Sequence, residues 1–178
     1  MRNRNRARKI DESAERILRE CGQFKAPVDV SAVASACNAR VVYEELDDDV
    51  SGFLLREKGS ISIAINKQHP ANRQRFTLAH EIGHLVLHAD QGDRLWLDKA
   101  YYFRDGSSSK GDQAAEVQAN QFAAGLLMPE ELVTAEVVQN SHHITEVNVM
   151  KLAMKFEVSE RAMTFRLISL GLLEPVAA

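Results

Sequence analysis

His80-Glu81-Ile82-Gly83-His84 reads H-E-x-x-H. On an α-helix, positions i and i+4 share a face, about 6 Å apart along the axis. Two imidazoles so placed can reach one metal ion, since zinc takes nitrogen ligands at about 2.0–2.1 Å. Glu81 leans to the neighbouring face, where it can take a proton from a water without ligating the metal. Two anchors and a base are what hydrolytic zinc chemistry needs. The flanking Phe76, Leu78, Ala79, Ile82, Leu85, Val86 and Leu87 are apolar, so this helix is expected to be buried on most sides. Buried imidazoles and carboxylates must be paired or ligated, which favours a metal over two merely structural histidines. His88 continues the series but lies about 12 Å from His80 along the axis, too far to share its ion. It is read as a supporting or capping residue. Gly83 costs the helix about 1 kcal/mol relative to alanine, which a close approach of backbone or ligand would explain.

A catalytic zinc normally has three protein ligands and one open position. The third is sought in 112–129, a helical stretch with an aspartate at its start and Pro129 as its stop. Glu116, Ala119, Asn120, Ala123 and Leu127 fall on one stripe of that helix. The small alanines would let it pack closely on the first helix and point Glu116 at the metal. Asn120, one turn on, could orient a ligand. Spacing alone leaves a surface glutamate an equal reading of Glu116.

The two segments together are specific. Arg-Phe-Thr-Leu-Ala-His80-Glu81-Ile-Gly-His84-Leu-x-Leu-His88, followed by Glu116-x-x-Ala-Asn-x-Phe-Ala-x-x-Leu-Leu-Met-Pro129, resembles the ImmA/IrrE family of zinc metallopeptidases. The resemblance covers roughly residues 10–135. It implies a compact zincin-like α+β domain, gluzincin-like in its ligands: His80, His84 and Glu116 on Zn2+, with Glu81 as the base. It implies a regulatory protease that cleaves or otherwise inactivates a helix-turn-helix repressor or antitoxin-like partner, in the setting of transcription regulation, stress response or toxin–antitoxin loci. Two departures from the family pattern are visible: Gln118 where many members carry glutamate, and Gly125 where a better helix former is usual.

The rest of the chain is read for what positions these groups. At 178 residues, 45% hydrophobic and 26% charged, the composition is that of a globular protein able to bury a real core. No apolar run approaches the roughly 20 residues of a membrane span, and no signal-peptide core follows the N-terminus. Cys21 and Cys37 have neither metal-site spacing nor the density of a secreted scaffold, so a reduced cytoplasm is the expected compartment. Arg2, Arg4, Arg6, Arg8 and Lys9 carry five positive charges, which leaves net −8 on the remainder against −3 overall. Residues 1–9 are therefore expected to form a flexible basic arm.

Residues 11–24 and 30–38 have helical spacing, the second stretch capped by Asp29. Strands are expected at 41–46, 51–56 and 60–65, the last two forming a hairpin about Glu57-Lys58-Gly59 in a small antiparallel sheet. The strand 60–65 is expected to hold an extended substrate by edge pairing. Arg73 and Arg75, at the start of the metal-site helix, either clasp a carboxylate or stand exposed. Residues 90–111 read as a loop across the site mouth, with Tyr101 and Tyr102 as candidate oxyanion donors. A peptidase domain over 10–140 would then be followed by a helix-turn-helix-like tail over 141–178, with Glu157 where DNA-binding versions often have glycine. Between Glu146 and Glu174 that tail is neutral, so packing or partner docking is favoured over DNA. The competing class is a non-catalytic, metal-stabilised regulator that binds a repressor or DNA.

Overall fold

The N-terminal helix α1 (Arg2–Glu20) buries Ile10, Ala14 and Leu18 at fourfold spacing and leaves its basic face to solvent. It belongs to a computed structural model that describes residues 2–88, 94–99, 110–139 and 145–175. The basic stretch expected as a flexible arm is instead the first two turns of this helix. Arginine and alanine are good helix formers, nothing in the stretch breaks a helix, and Arg8 Nε donates to Glu12 Oε1 one turn on at 2.9 Å. Helix α2 (Val30–Ala36) follows, with Asp29 Oδ1 accepting from Ala32 N at 3.0 Å as its N-cap.

Among the described residues four strands form one sheet: β1 (Ala39–Glu44), β2 (Val50–Glu57), β3 (Ser60–Asn66) and β4 (Arg94–Lys99), in the order β1-β3-β2-β4. The hairpin β2–β3 is as expected, turning through Lys58 and Gly59 at φ 49° and 81°. The sheet is mixed rather than antiparallel, because β1 runs parallel to β3. After β1 the chain arches over the end of β3 and enters the sheet two places away. Asn66, fully buried at that end, pins the arch: its Nδ2 donates to the carbonyls of Leu46, Asp47 and Val50 at 3.3, 3.3 and 3.0 Å. A buried amide with three such bonds cannot be replaced by an apolar side chain without stranding carbonyls. This topology makes β3 an inner strand with neighbours on both sides. The edge pairing expected there is ruled out, and among the described residues the terminal strands are β1 and β4.

The sheet lies on α3 (Ala71–Leu87). At Gly52 of β2 an added Cβ would sit 2.6 Å from Ala64 O and 2.7 Å from Thr77 Cγ2, so only glycine permits this approach of strand to helix. Arg56 of β2 donates from Nη2 to Leu85 O at 3.1 Å, satisfying a carbonyl of the last helical turn. Helix α4 (Lys110–Leu127) packs along α3, and α5 (Glu130–Gln139) follows the proline stop.

The last two helices, α6 (Glu146–Phe156) and α7 (Glu160–Ser169), form the expected helix-turn-helix, each capped by the hydroxyl before it, Thr145 and Ser159. They are no loose tail. Leu152, Phe156, Val158, Met163 and Leu167 belong to the same buried cluster as Leu18, Ile82, Phe122 and Leu126. Two arginines fasten them. Arg166, 5% exposed, donates from Nε to Met128 O at 2.9 Å and pairs through Nη1 with Asp11 at 3.1 Å. Arg75 of α3 bridges Val28 O, Glu157 O and the Glu157 carboxylate. Of the two readings of Arg75, the clasp is the one found. Its partner Glu157 holds a left-handed backbone, φ 52°, the conformation glycine takes without strain. Among the described residues no helix is long and apolar enough to cross a membrane.

Candidate metal centre

Helix α3 carries His80 and His84 on the face it turns to α4. The approach is close because both helices are small there: a Cβ on Gly83 would lie 3.1 Å from Ala119 Cα and from Ala119 O. Ala119 and Ala123 are fully buried in the same seam. The expected explanation for Gly83, a close backbone approach, is therefore the one observed. Gly125, the departure in α4, has a parallel cause. An added Cβ would collide with the Asp11 carboxylate, which α1 lays across α4 at that point.

The seam delivers three donor groups to one place. His80 Nε2 lies 2.9 Å from His84 Nε2, and the two Glu116 oxygens lie 3.2 Å from one imidazole Nε2 each. Ligand atoms about 2.0–2.1 Å from a tetrahedral zinc stand roughly 3.3 Å apart, so this triangle is nearly the right size. Asn120 Oδ1 lies 3.0 Å from His80 Nδ1. An amide oxygen only accepts, so Nδ1 carries the hydrogen there and Nε2 of the neutral ring presents its lone pair to the triangle. Two imidazole nitrogens and a carboxylate this close share a positive charge, either a proton or a metal ion. Burial pushes His84 below its usual 6.5, against the upward pull of Glu116, which disfavours the proton. Burial by itself would raise Glu116, but a proton shared onto His80 or His84 Nε2 donates to the carboxylate and outweighs burial, holding its carboxyl down to about 2. The Glu116 carboxyl is therefore ionised at neutral pH. Donor set, spacing and charge all fit a divalent cation of the zinc type.

Glu81 is fully buried on the adjoining face of α3, between the two histidines in sequence. His88 is not in the group. It caps the C-terminal end of α3, its backbone N–H donating to His84 O, and its ring centroid is 5.7 Å from that of His84. Among the described residues Arg73 clasps no carboxylate; its Nη2 donates to Ser51 Oγ at 2.9 Å. The candidate oxyanion donors Tyr101 and Tyr102 lie outside the described residues. Sequence reasoning missed Gly52, Asn66 and the Asp11–Arg166 pair. No local pattern marks them, since each acts on a segment distant in sequence.

Residues 34–168, which hold His80, Glu81, His84, Glu116 and Asn120, match the Peptidase M78 family, the IrrE N-terminal-like domain. The chain belongs to that family. It is 35% identical over 105 residues to the radiation response metalloprotease IrrE of Deinococcus radiodurans, a match spanning 59% of this chain and 30% of that protein. It is 28% identical over 102 residues to an uncharacterized immunity region protein of Bacillus phage phi105, covering 57% and 60% of the two chains. The chain thus matches under a third of the Deinococcus relative's length and three fifths of the phage protein's. A solved structure titled as a Mycobacterium tuberculosis transcriptional regulator superposes with TM-score 0.63 at 18% identity, over 90% of this chain and 46% of that one. At that identity the likeness concerns the fold alone. Within this α+β core, His80, His84 and Glu116 form a group that could hold a metal ion.

Proposed function

We propose that this chain is a zinc-dependent endopeptidase of regulatory type, acting on a helix-turn-helix repressor or antitoxin-like protein in the cytoplasm. The observation that carries the reading is the donor triangle of His80, His84 and Glu116, with Glu81 buried beside it. In this reading His80, His84 and Glu116 hold the ion. When bound, zinc supplies Lewis acidity to a peptide carbonyl and to the attacking water. The chain's own groups do the rest. Asn120 fixes the ring of His80 so that Nε2 faces the ion. Glu81 takes the proton from the attacking water on its carboxylate and delivers it to the departing amine nitrogen. His80, Glu81 and His84 are themselves buried, which strengthens each charge interaction there.

The partner class is supported by the kinship with a phage immunity-region protein and with the IrrE metalloprotease. DNA as the main ligand is not favoured. Arg166, which a phosphate-binding helix-turn-helix would need on its surface, is buried against Asp11. The test is to incubate the zinc-loaded protein with the helix-turn-helix repressor encoded nearest its gene and to read products by intact-mass spectrometry. One defined cut is expected. Relief of repression without any cut would instead select the non-catalytic regulator.

A further inference from the structure

Helices α1, α3, α4 and α7 enclose an open groove of about 900 Å³ beside the metal centre. Its lining is apolar, and residues that a soluble surface normally hides stand in its walls. Val117 of α4 is 48% exposed and Phe165 of α7 is 59% exposed, with Phe76, Ala124 and Ala162 between them. Exposed apolar side chains gathered along a concave surface mark a binding site. The charges are equally one-sided. Among the described residues, Asp11 is the one carboxylate in the lining and is held by Arg166, which leaves Arg73 on α3 and Arg161 on α7 as its further charges. Arg161 stands 5.6 Å from the centre of the Phe165 ring, so cation and apolar wall are presented together. At Ala7 the basic first turns of α1 reach the rim, on a chain that is net negative elsewhere.

We infer that this groove docks an amphipathic helix of a partner protein, with an apolar stripe facing Val117, Phe76 and Phe165 and acidic residues on its flanks facing Arg73 and Arg161. A helix with its side chains is about 10–12 Å across and offers anchors at i, i+4 and i+7, which suits an open trough of this size. Nucleic acid fits poorly, because the floor offers apolar groups where phosphates need donors. Symmetric self-docking fits poorly as well, because it would face one basic rim with another. Asn120, whose amide oxygen faces His80, also lines the groove. A helix bound here would bring the partner's adjoining chain to the metal centre without occupying it. The inference deepens the proposed function and rests on its reading of a protein partner.

The experiment uses the full chain and two fluorescein-labelled peptides of about 18 residues, each with a leucine stripe at helical spacing. One has glutamates flanking the stripe; its twin has lysines. Fluorescence anisotropy should show saturable binding of the glutamate peptide and at least about tenfold weaker binding of the twin. Phe165→Glu and Val117→Glu should each weaken binding about tenfold or more, and Arg161→Glu should shift preference towards the lysine peptide. Both wall residues are exposed, so these variants keep the fold, to be checked by circular dichroism. Met154→Glu, on an exposed apolar position of α6 outside the groove, should change nothing. Absent binding, equal binding of the two peptides, or indifference to the wall substitutions would overturn the inference. So would a dimer, seen by sedimentation, that Phe165→Glu dissociates, which would give the groove to a second copy. The readout is binding, so a wild type that cuts no repressor leaves the groove's role intact, and a groove that binds nothing leaves the peptidase chemistry intact.

Discussion

Gly83→Ala is the sharpest probe of the helix seam that builds the site. Two effects oppose each other. Alanine favours the helix by about 1 kcal/mol, because glycine gives up more chain entropy on folding. Its methyl group, however, would sit 3.1 Å from both Ala119 Cα and Ala119 O, against backbone that no rotamer change can clear. Relief to ordinary contact requires α4 to move several tenths of an ångström, and overpacking of this kind costs about 1–3 kcal/mol. The expected net is a loss of zero to about 2 kcal/mol in the metal-free protein. The ligand geometry should suffer more, because metal–ligand distances tolerate only about ±0.2 Å and Glu116 rides on the helix that moves. A fall in zinc affinity of about tenfold or more is expected, read by chelator competition alongside urea unfolding of the metal-free form. A Gly83→Ala protein more stable by about 1 kcal/mol and with unchanged zinc affinity would refute the tight seam.

Three further outcomes follow from the same geometry. Glu116→Gln keeps volume but removes the charge, so equilibrium dialysis should show markedly weaker zinc binding, whereas His88→Ala should lose far less; equal losses would mean that the third ligand is misassigned. Arg166→Leu should destabilise by about 3–5 kcal/mol in urea unfolding, because it strands Asp11 and the Met128 carbonyl. A change under about 1 kcal/mol would show that the pair is solvent-compensated. Because burial lowers the folded-state value of His84, its neutral form stabilises the fold above the usual 6.5 and that contribution is lost as pH falls through the lowered value. The urea midpoint of the metal-free protein should therefore drop between pH 7.5 and pH 5, and Glu116, held at about 2, cannot account for a change there. A flat profile over that interval would contradict the buried neutral ring.

What the sequence made legible was local. The H-E-x-x-H spacing, the stripe of Glu116, Ala119 and Asn120, the turn at Lys58-Gly59 and the cap at Asp29 are each read within a few residues, and each is found near its expected place. What escaped was set by contacts between distant segments. Parallel pairing of β1 with β3 depends on an arch pinned by Asn66, and nothing near residue 44 announces it. Helical order in residues 2–9 was hidden by their charge, which argues for solvation but not against helix. The division at residue 141 followed a polar break in sequence, whereas Phe156, Met163 and Leu167 complete the core begun by α1. The glycines at 83 and 125 looked like weak points in their helices, and both are places where another helix touches backbone.

Whether the site performs hydrolysis is tested most directly at Glu81. It is not among the three grouped donors, so Glu81→Gln should retain zinc and partner binding at wild-type level. Glutamine cannot accept a proton from the attacking water, and loss of a general base typically lowers the rate by about 10²–10⁴-fold. Wild type and Glu81→Gln, matched for zinc content by metal analysis, would be incubated with the partner repressor and followed by gel and mass spectrometry. A defined cut by wild type that the variant makes at least about a hundredfold more slowly is the predicted result. Equal cutting by both proteins, or no cutting by either while both relieve repression, would contradict it.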